Sequence, residues 1–146
     1  MNIQSLNHCG LLISDLEKSR WFYGTVLGME EVPRPETFKF AGAWFRGGSC
    51  EVHMLVAPEL VHPGGFGGTE IPRRPAFATH LAFEVQDFDK IVASMSQHGV
   101  EIKAGPLARG DGMVQIFVND PDGYLLEFFS WVAGSEADAP EREAIA

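Results

Sequence analysis

The sequence predicts an α+β fold of two tandem β-α-β-β-β modules, whose strands form a curved mixed-sheet trough with the helices on its outer face. Three observations carry this prediction. HCGLLISDLEKS from His8 matches HLAFEVQDFDKI from His80, with His8 over His80, Asp15 over Asp87 and Lys18 over Lys90, all at an offset of 72. Each copy opens as an alternating strand and passes into a helical pattern. Each helical pattern then stops at a glycine, Gly28 or Gly99, and three short strand candidates follow.

In the first strand Asn7, Cys9, Leu11 and Ile13 share one face and His8 and Gly10 the other; in the matching strand Leu81, Phe83 and Val85 lie opposite His80 and Ala82. Both histidines therefore occupy the less apolar face. Ser14 and Glu17 have the spacing of a capping box, and Leu16, Tyr23, Val26 and Leu27 make the apolar stripe of the first helix. Phe88, Ile91, Val92 and Met95 make that of the second. The strands expected after the first helix are 29–34, 37–46 and 50–57, and after the second 100–103, 113–119 and 124–131. The single domain is thus read as 1–132, with modules 1–57 and 77–132. Its Gly- and Pro-rich linker, 58–76, is long enough to serve as a mobile lid, and 133–146 is a charged tail with no apolar period.

The chain's 146 residues can bury a real core. With 11 Lys and Arg against 20 Asp and Glu, the formal charge is -9, and no basic stripe exists to neutralise phosphates, which excludes nucleic acid as a partner. No apolar run is long enough to span a membrane, and MNIQSLNH has neither the basic start nor the apolar stretch of a signal peptide. A cytoplasmic protein is expected, its two cysteines, Cys9 and Cys50, held as buried thiols.

If the helices cover one face of the sheet, the free face collects His8, Glu51, His53, His80 and Glu127. Imidazole and carboxylate are the donors used by Zn, Ni, Mn or Fe(II) sites, and a divalent metal ion would explain why such groups tolerate burial. Gly10 and Ala82, two residues beyond the histidines, leave space beside them. His98, before Gly99, is read as bonding the last carbonyls of its helix, and His62 as a linker residue. Phe22, Phe40, Phe45 and Phe117 are read as core. Trp44 and Arg46 share a strand face that either lines the trough or meets solvent.

The segments LNHCGLLISDLEKSRWFYGTVLGM, THLAFEV and FVNDPDGYLLEFF resemble the vicinal oxygen chelate superfamily, which includes glyoxalase I, fosfomycin and bleomycin resistance proteins and extradiol dioxygenases. The resemblance runs almost to Trp131. It implies a divalent ion chelated by two oxygens of a small-molecule substrate, with metal ligands at His8, His80 and Glu127. Counting from the turn glycine places the fourth-strand ligand at Glu51 or Val52 according to the glycine chosen. Matching LEFF around Glu127 with VHML around His53 assigns it to His53, which leaves Glu51 as an outer carboxylate or proton carrier.

Four ligands, His8, His53, His80 and Glu127, favour a glyoxalase-like lyase or isomerase in which Glu127 or Glu51 moves a proton. A triad of His8, His80 and Glu127 would instead suit an Fe(II) dioxygenase of the extradiol type. A fosfomycin-type transferase lacks an evident basic cluster to grip a phosphonate. A non-catalytic ligand-binding protein of the bleomycin resistance kind would not need the four donors. A homodimer is expected, because paired modules leave sheet edges to be covered.

Overall fold

The computed structural model describes residues 2–61 and 78–132. Most of the expected lid, His62 and the whole charged tail lie outside the described residues. The chain divides into two compact units: residues 1–70 with 120–124, and residues 71–119 with 125–146. The boundary follows the duplicated modules except for the short segment 120–124, which groups with the first.

In the first unit, β1 (His8–Ile13) is followed by α1 (Leu16–Ser19), a π-helical stretch (Arg20–Val26), and β2 (Glu30–Val32), β3 (Gly42–Gly47) and β4 (Cys50–Val56). The four strands form one mixed sheet in the order β1-β4-β3-β2, with β1 parallel to β4 and the other pairs antiparallel. The second strand is shorter than expected because Pro33 and Pro35 lack the N–H a ladder requires. The third begins at Gly42 rather than Thr37, since Phe38 N donates to Pro35 O and turns the chain. Phe40 consequently sits in an exposed turn, not in the core, with the Arg34 guanidinium 4.8 Å from its ring centroid.

The core of this unit is one sheet face. Leu11, Ile13, Ala43, Phe45, Val52 and Met54 are buried there with Phe22, Tyr23 and Val26 of the π-helical stretch. The helix is capped by Asp15, not Ser14: its Oδ1 accepts from Glu17 N at 3.0 Å and Lys18 N at 3.1 Å. Ser14 is engaged elsewhere, donating through N and Oγ to Asp122 Oδ1. Gly28 ends the helix at φ 69, in the left-handed region where a side chain is disfavoured. Cys9 and Cys50 are free thiols, half-buried rather than fully buried.

The second unit repeats the plan. It comprises β5 (Leu81–Glu84), α2 (Phe88–Gln97), β6 (Ile102–Ala108), β7 (Met113–Asn119) and β8 (Leu125–Trp131), with order β5-β8-β7-β6 and β5 parallel to β8. Asp87 caps α2 through Lys90 N, as Asp15 caps α1, and His98 Nδ1 bonds the Ser94 carbonyl at 2.9 Å. No described helix is long and apolar enough to cross a membrane.

The segment 120–124 is held within the first unit by buried polar bonds. Asp120 Oδ1 accepts from Asp122 N and Tyr124 N, both at 2.9 Å, and its Oδ2 accepts from the Tyr23 hydroxyl at 2.8 Å. Tyr124 Oη exchanges bonds with the N–H and carbonyl of Leu12. Burial pushes the Asp120 carboxyl from 3.8 up to about 6, outweighing the donors that favour its charged form. A carboxyl raised in the folded state binds its proton more tightly there than in the unfolded chain. Its contribution therefore rises as pH falls from about 6 towards 4, by up to about 3 kcal/mol. Urea unfolding at pH 4.5 and 7.5 tests this: Asp120→Asn should remove that favourable low-pH increment relative to wild type, and equal slopes for the two proteins would refute it.

Candidate functional site

Strand parity places the predicted site residues on the sheet faces opposite the buried core. In β4, Val52 and Met54 face the core, whereas Glu51 and His53 lie on the other face and are partly exposed. In the parallel β1–β4 ladder His8 is the partner of Glu51, and Gly10 the partner of His53. In β5–β8, Ala82 is the partner of Glu127. Since Gly10 and Ala82 are equivalent in the repeat, the ladder makes His53 the counterpart of Glu127. Glu51 has Leu125 as its counterpart, two residues earlier in β8.

The first unit brings His8, Glu51 and His53 together and adds two residues with no assigned role at the sequence level. The β3–β4 hairpin pairs Trp44 with His53 and Arg46 with Glu51. The Trp44 indole stacks on the His53 ring with centroids 3.7 Å apart and planes 2° apart, and His8 stacks on it with centroids at 4.1 Å and planes 13° apart. Arg46 donates through Nε and Nη2 to Glu51 Oε1, at 3.0 and 2.7 Å. The other oxygen, Oε2, lies 2.8 Å from His53 Nε2. An ionised carboxylate only accepts, so His53 donates its Nε2 proton to Glu51, and in the neutral ring the lone pair is on Nδ1. His8 is arranged the opposite way. Its Nδ1 donates to Asn7 Oδ1 at 2.8 Å, leaving Nε2 as the open lone pair.

In the second unit, His80 Nδ1 donates to the Ala78 carbonyl at 2.7 Å, and its Nε2 lies 2.9 Å from Glu127 Oε2. Glu127 is only 6% exposed, and Phe117 meets the His80 ring edge-on at 5.7 Å. With the Nδ1 proton committed, a neutral ring would set its Nε2 lone pair against a carboxylate oxygen, a repulsive contact of two acceptors. A second ring proton, a carboxyl proton or a metal cation resolves that repulsion. A ligating histidine commonly gives its other N–H to a carbonyl, as His80 does. The pair thus has the chemistry of a metal half-site.

Among the described residues, no group of three or more His, Cys, Asp or Glu side chains is gathered closely enough to hold an ion. The stacked rings of His8 and His53 also bear on ligation. In-plane lone pairs in near-parallel planes do not converge, so binding one ion through both requires a ring to turn. His53 is pinned by Trp44 and Glu51, whereas His8 is exposed and bonded only through Asn7 in the structure described. His8 is the ring free to move.

The hydrogen bond from His53, followed by the bonds from Arg46, holds the Glu51 carboxyl below the usual carboxylate range. His53→Ala and Arg46→Ala should each let it rise back towards that range. Carbon-13 titration of the Glu51 carboxyl in the two variants measures this; a Glu51 unmoved in both would show that the two bonds do not set its acidity.

The match to known proteins follows the same frame. The family model described as Glyoxalase/Bleomycin resistance protein/Dioxygenase superfamily matches residues 5–128. A protein from Arabidopsis thaliana named Glyoxylase I 4 is 29% identical over 131 residues, 87% of this chain and 71% of that protein. A lactoylglutathione lyase of Neisseria meningitidis is 32% identical, covering 92% of this chain and 96% of its own length. The crystal structure of a glyoxalase/dioxygenase from Nostoc punctiforme superposes with a TM-score of 0.73 at 28% identity, over 89% of this chain and 92% of that one. The duplicated modules, the parallel pairing of the first and last strand of each and this match along nearly the whole chain make the protein a member of the Glyoxalase/Bleomycin resistance protein/Dioxygenase superfamily.

Proposed function

We propose that the protein is a metal-dependent lyase or isomerase of the glyoxalase type, acting on a small molecule that offers two neighbouring oxygens. The proposed ligands are His8, His53, His80 and Glu127. The observation that carries this reading is the approach of His80 Nε2 to the buried Glu127 Oε2 at 2.9 Å, with the ring's other nitrogen already directed at the Ala78 carbonyl. The lyase relative covering 92% of the chain supports the reaction class. A homodimer belongs to the same proposal, since each sheet ends on two edge strands.

A bound divalent ion would supply Lewis acidity to the substrate oxygens. The protein's own part is proton transfer and positioning. Glu127, set among buried side chains, takes the proton from the carbon beside the substrate carbonyl and returns it to the neighbouring position. Glu51 is a poorer base, because Arg46 and His53 stabilise its charged form. Its oxygens are already committed, and its part is to hold His53. Gly10 and Ala82 leave room beside the histidines for the substrate.

One observation favours a second reading. The pinned His53 ring would be spared in an Fe(II) dioxygenase that uses only His8, His80 and Glu127. Metal analysis of the purified full-length chain, paired with turnover of methylglyoxal–thiol hemithioacetals and of catechols, separates the two. The expected result is a bound divalent ion and hemithioacetal turnover. His80→Ala and Glu127→Ala should each weaken zinc binding beyond the roughly 10- to 100-fold that losing an outer partner costs, and Glu51→Ala should retain the ion. Glu127→Gln should lower kcat by about 10²- to 10⁴-fold, the usual worth of a positioned acid–base group. Catechol cleavage requiring Fe(II), with His53→Ala still holding iron, would replace the lyase by the dioxygenase. A protein that binds no divalent ion would overturn both.

A further inference from the structure

We propose that Arg46 and Trp44 are positioning residues that fix both the ring plane and the tautomer of His53, so that this histidine offers its Nδ1 lone pair to an ion while His8 and His80 offer Nε2. The inference rests on the ligand set proposed above.

The three histidines differ in which nitrogen is already engaged. At His80 Nδ1 meets the Ala78 carbonyl at 2.7 Å and Nε2 meets Glu127 Oε2 at 2.9 Å, the contact an ion would replace; at His8 the engaged nitrogen is Nδ1, against the Asn7 side-chain oxygen at 2.8 Å. At His53 it is Nε2, against Glu51 Oε2 at 2.8 Å. A neutral imidazole carries one ring proton, and the acceptor it meets selects the nitrogen that keeps it. Glu51 would not make that selection reliably if its carboxylate could turn. Arg46 prevents the turn by directing Nε and Nη2 to the same oxygen, Oε1, at 3.0 and 2.7 Å, which leaves Oε2 aimed at His53. Lysine cannot reproduce that two-point contact.

Trp44 controls the remaining freedom. Turning the His53 ring over about its outer torsion would put Cε1 where Nε2 stands and Cδ2 where Nδ1 stands, and the bond to Glu51 would be lost. The indole, 3.7 Å away and within 2° of parallel, stays in contact with the face of a ring that keeps its plane and is lost to one that rotates through the perpendicular. The indole in turn is backed by Phe38, edge-on at 5.6 Å. Cross-strand register makes these contacts obligatory: Trp44 is paired with His53 and Arg46 with Glu51 across a hairpin whose loop has only two residues. The second module has no such device, since the counterpart of Glu51 there is Leu125.

Long-range proton–nitrogen correlation of the imidazole rings in the metal-free, full-length protein at pH 7.5 tests the proposal without any substitution, once the three rings have been assigned from single His→Gln variants. The expected spectrum has His53 protonated on Nε2 and His8 on Nδ1, with His80 protonated at least on Nδ1. A His53 ring found protonated on Nδ1, on both nitrogens, or exchanging evenly between the two overturns the inference.

Two variants then assign the cause. Arg46→Lys and Trp44→Ala should each convert His53 to a mixture of tautomers and weaken zinc binding, measured with zinc alone, by about 10- to 100-fold, the usual effect of an outer partner. Trp44→Phe, which keeps a stacking ring, should restore most of both. Unchanged His53 spectra in Arg46→Lys and Trp44→Ala would remove these residues from the role. The tautomer and zinc readouts fail separately. A wild-type ring protonated on Nε2 in a protein that binds no zinc refutes the ligand set alone, whereas tight zinc binding with an Nδ1-protonated His53 refutes only the positioning mechanism.

Discussion

Parallel pairing between the first and last strand of each module is the constraint on which the candidate site depends. A strand shows alternate residues to each face, and a slip of one residue would send every donor into the core and every core residue out. Here the register is fixed by burial. Leu11 and Ile13 in β1 and Val52 and Met54 in β4 are each at most 1% exposed, so the apolar residues of both strands must face the same way. His8, Glu51 and His53 are then directed to the opposite face with no requirement of their own. The same argument is weaker in β8, where Leu125, Leu126, Glu127 and Phe128 are all buried and parity has to be read from the ladder.

The polar face is stable because each charge on it is matched locally. Glu51 lies between a guanidinium and an imidazole, and its lowered pKa records the benefit of those bonds to the ionised form. Asp120 is the contrasting case. It accepts as many hydrogen bonds, yet its carboxyl is raised to about 6, since no cation accompanies it into the interior. Two carboxylates with comparable numbers of donors thus move in opposite directions, and desolvation decides the sign. The cost at Asp120 accompanies the ordering of 120–124, where Tyr23, Ser14 and Leu12 all find partners.

The duplicated fold was legible in the sequence because periodicity and the repeated His-to-Asp spacing both survive along the chain. Helix starts were read less well: Ser14 has the spacing of a cap, but Asp15 can reach two backbone N–H groups with one oxygen, and Ser14 is drawn to Asp122 by a contact more than a hundred residues away in sequence. Turn counting could not align Glu51 or His53 with Glu127 because the turns differ in length. The β3–β4 loop contains two residues between Gly47 and Cys50, whereas β7 and β8 are joined by 120–124, between Asn119 and Leu125. The signal for Trp44 and Arg46 was nonetheless present. A two-residue hairpin at Gly48 and Ser49 pairs Arg46 with Glu51 and Trp44 with His53 by simple counting, and only the length of that loop had to be recognised.

What separates the two modules is chemistry placed on equivalent positions. His53 answers to Glu127, Glu51 to Leu125 and Trp44 to Phe117, the last two aromatic residues each being the cross-strand partner of the proposed ligand. The aromatic ring is kept but its contact differs: Trp44 stacks face-on upon its own partner His53, whereas Phe117 meets the neighbouring His80 edge-on. The carboxylate has moved from the ligand position to the position beside it in the first module, and occupies the ligand position itself in the second. In the proposed ligand set this leaves three neutral imidazoles and one carboxylate, one negative charge fewer than a pair of histidines with a pair of glutamates would carry. A divalent ion among such donors retains more positive charge to polarise a substrate oxygen. Held by Arg46, Glu51 is neutralised on one side and bonds the His53 ring on the other, so that in the proposed site the first module would contribute a fixed neutral donor and the second the group able to move a proton.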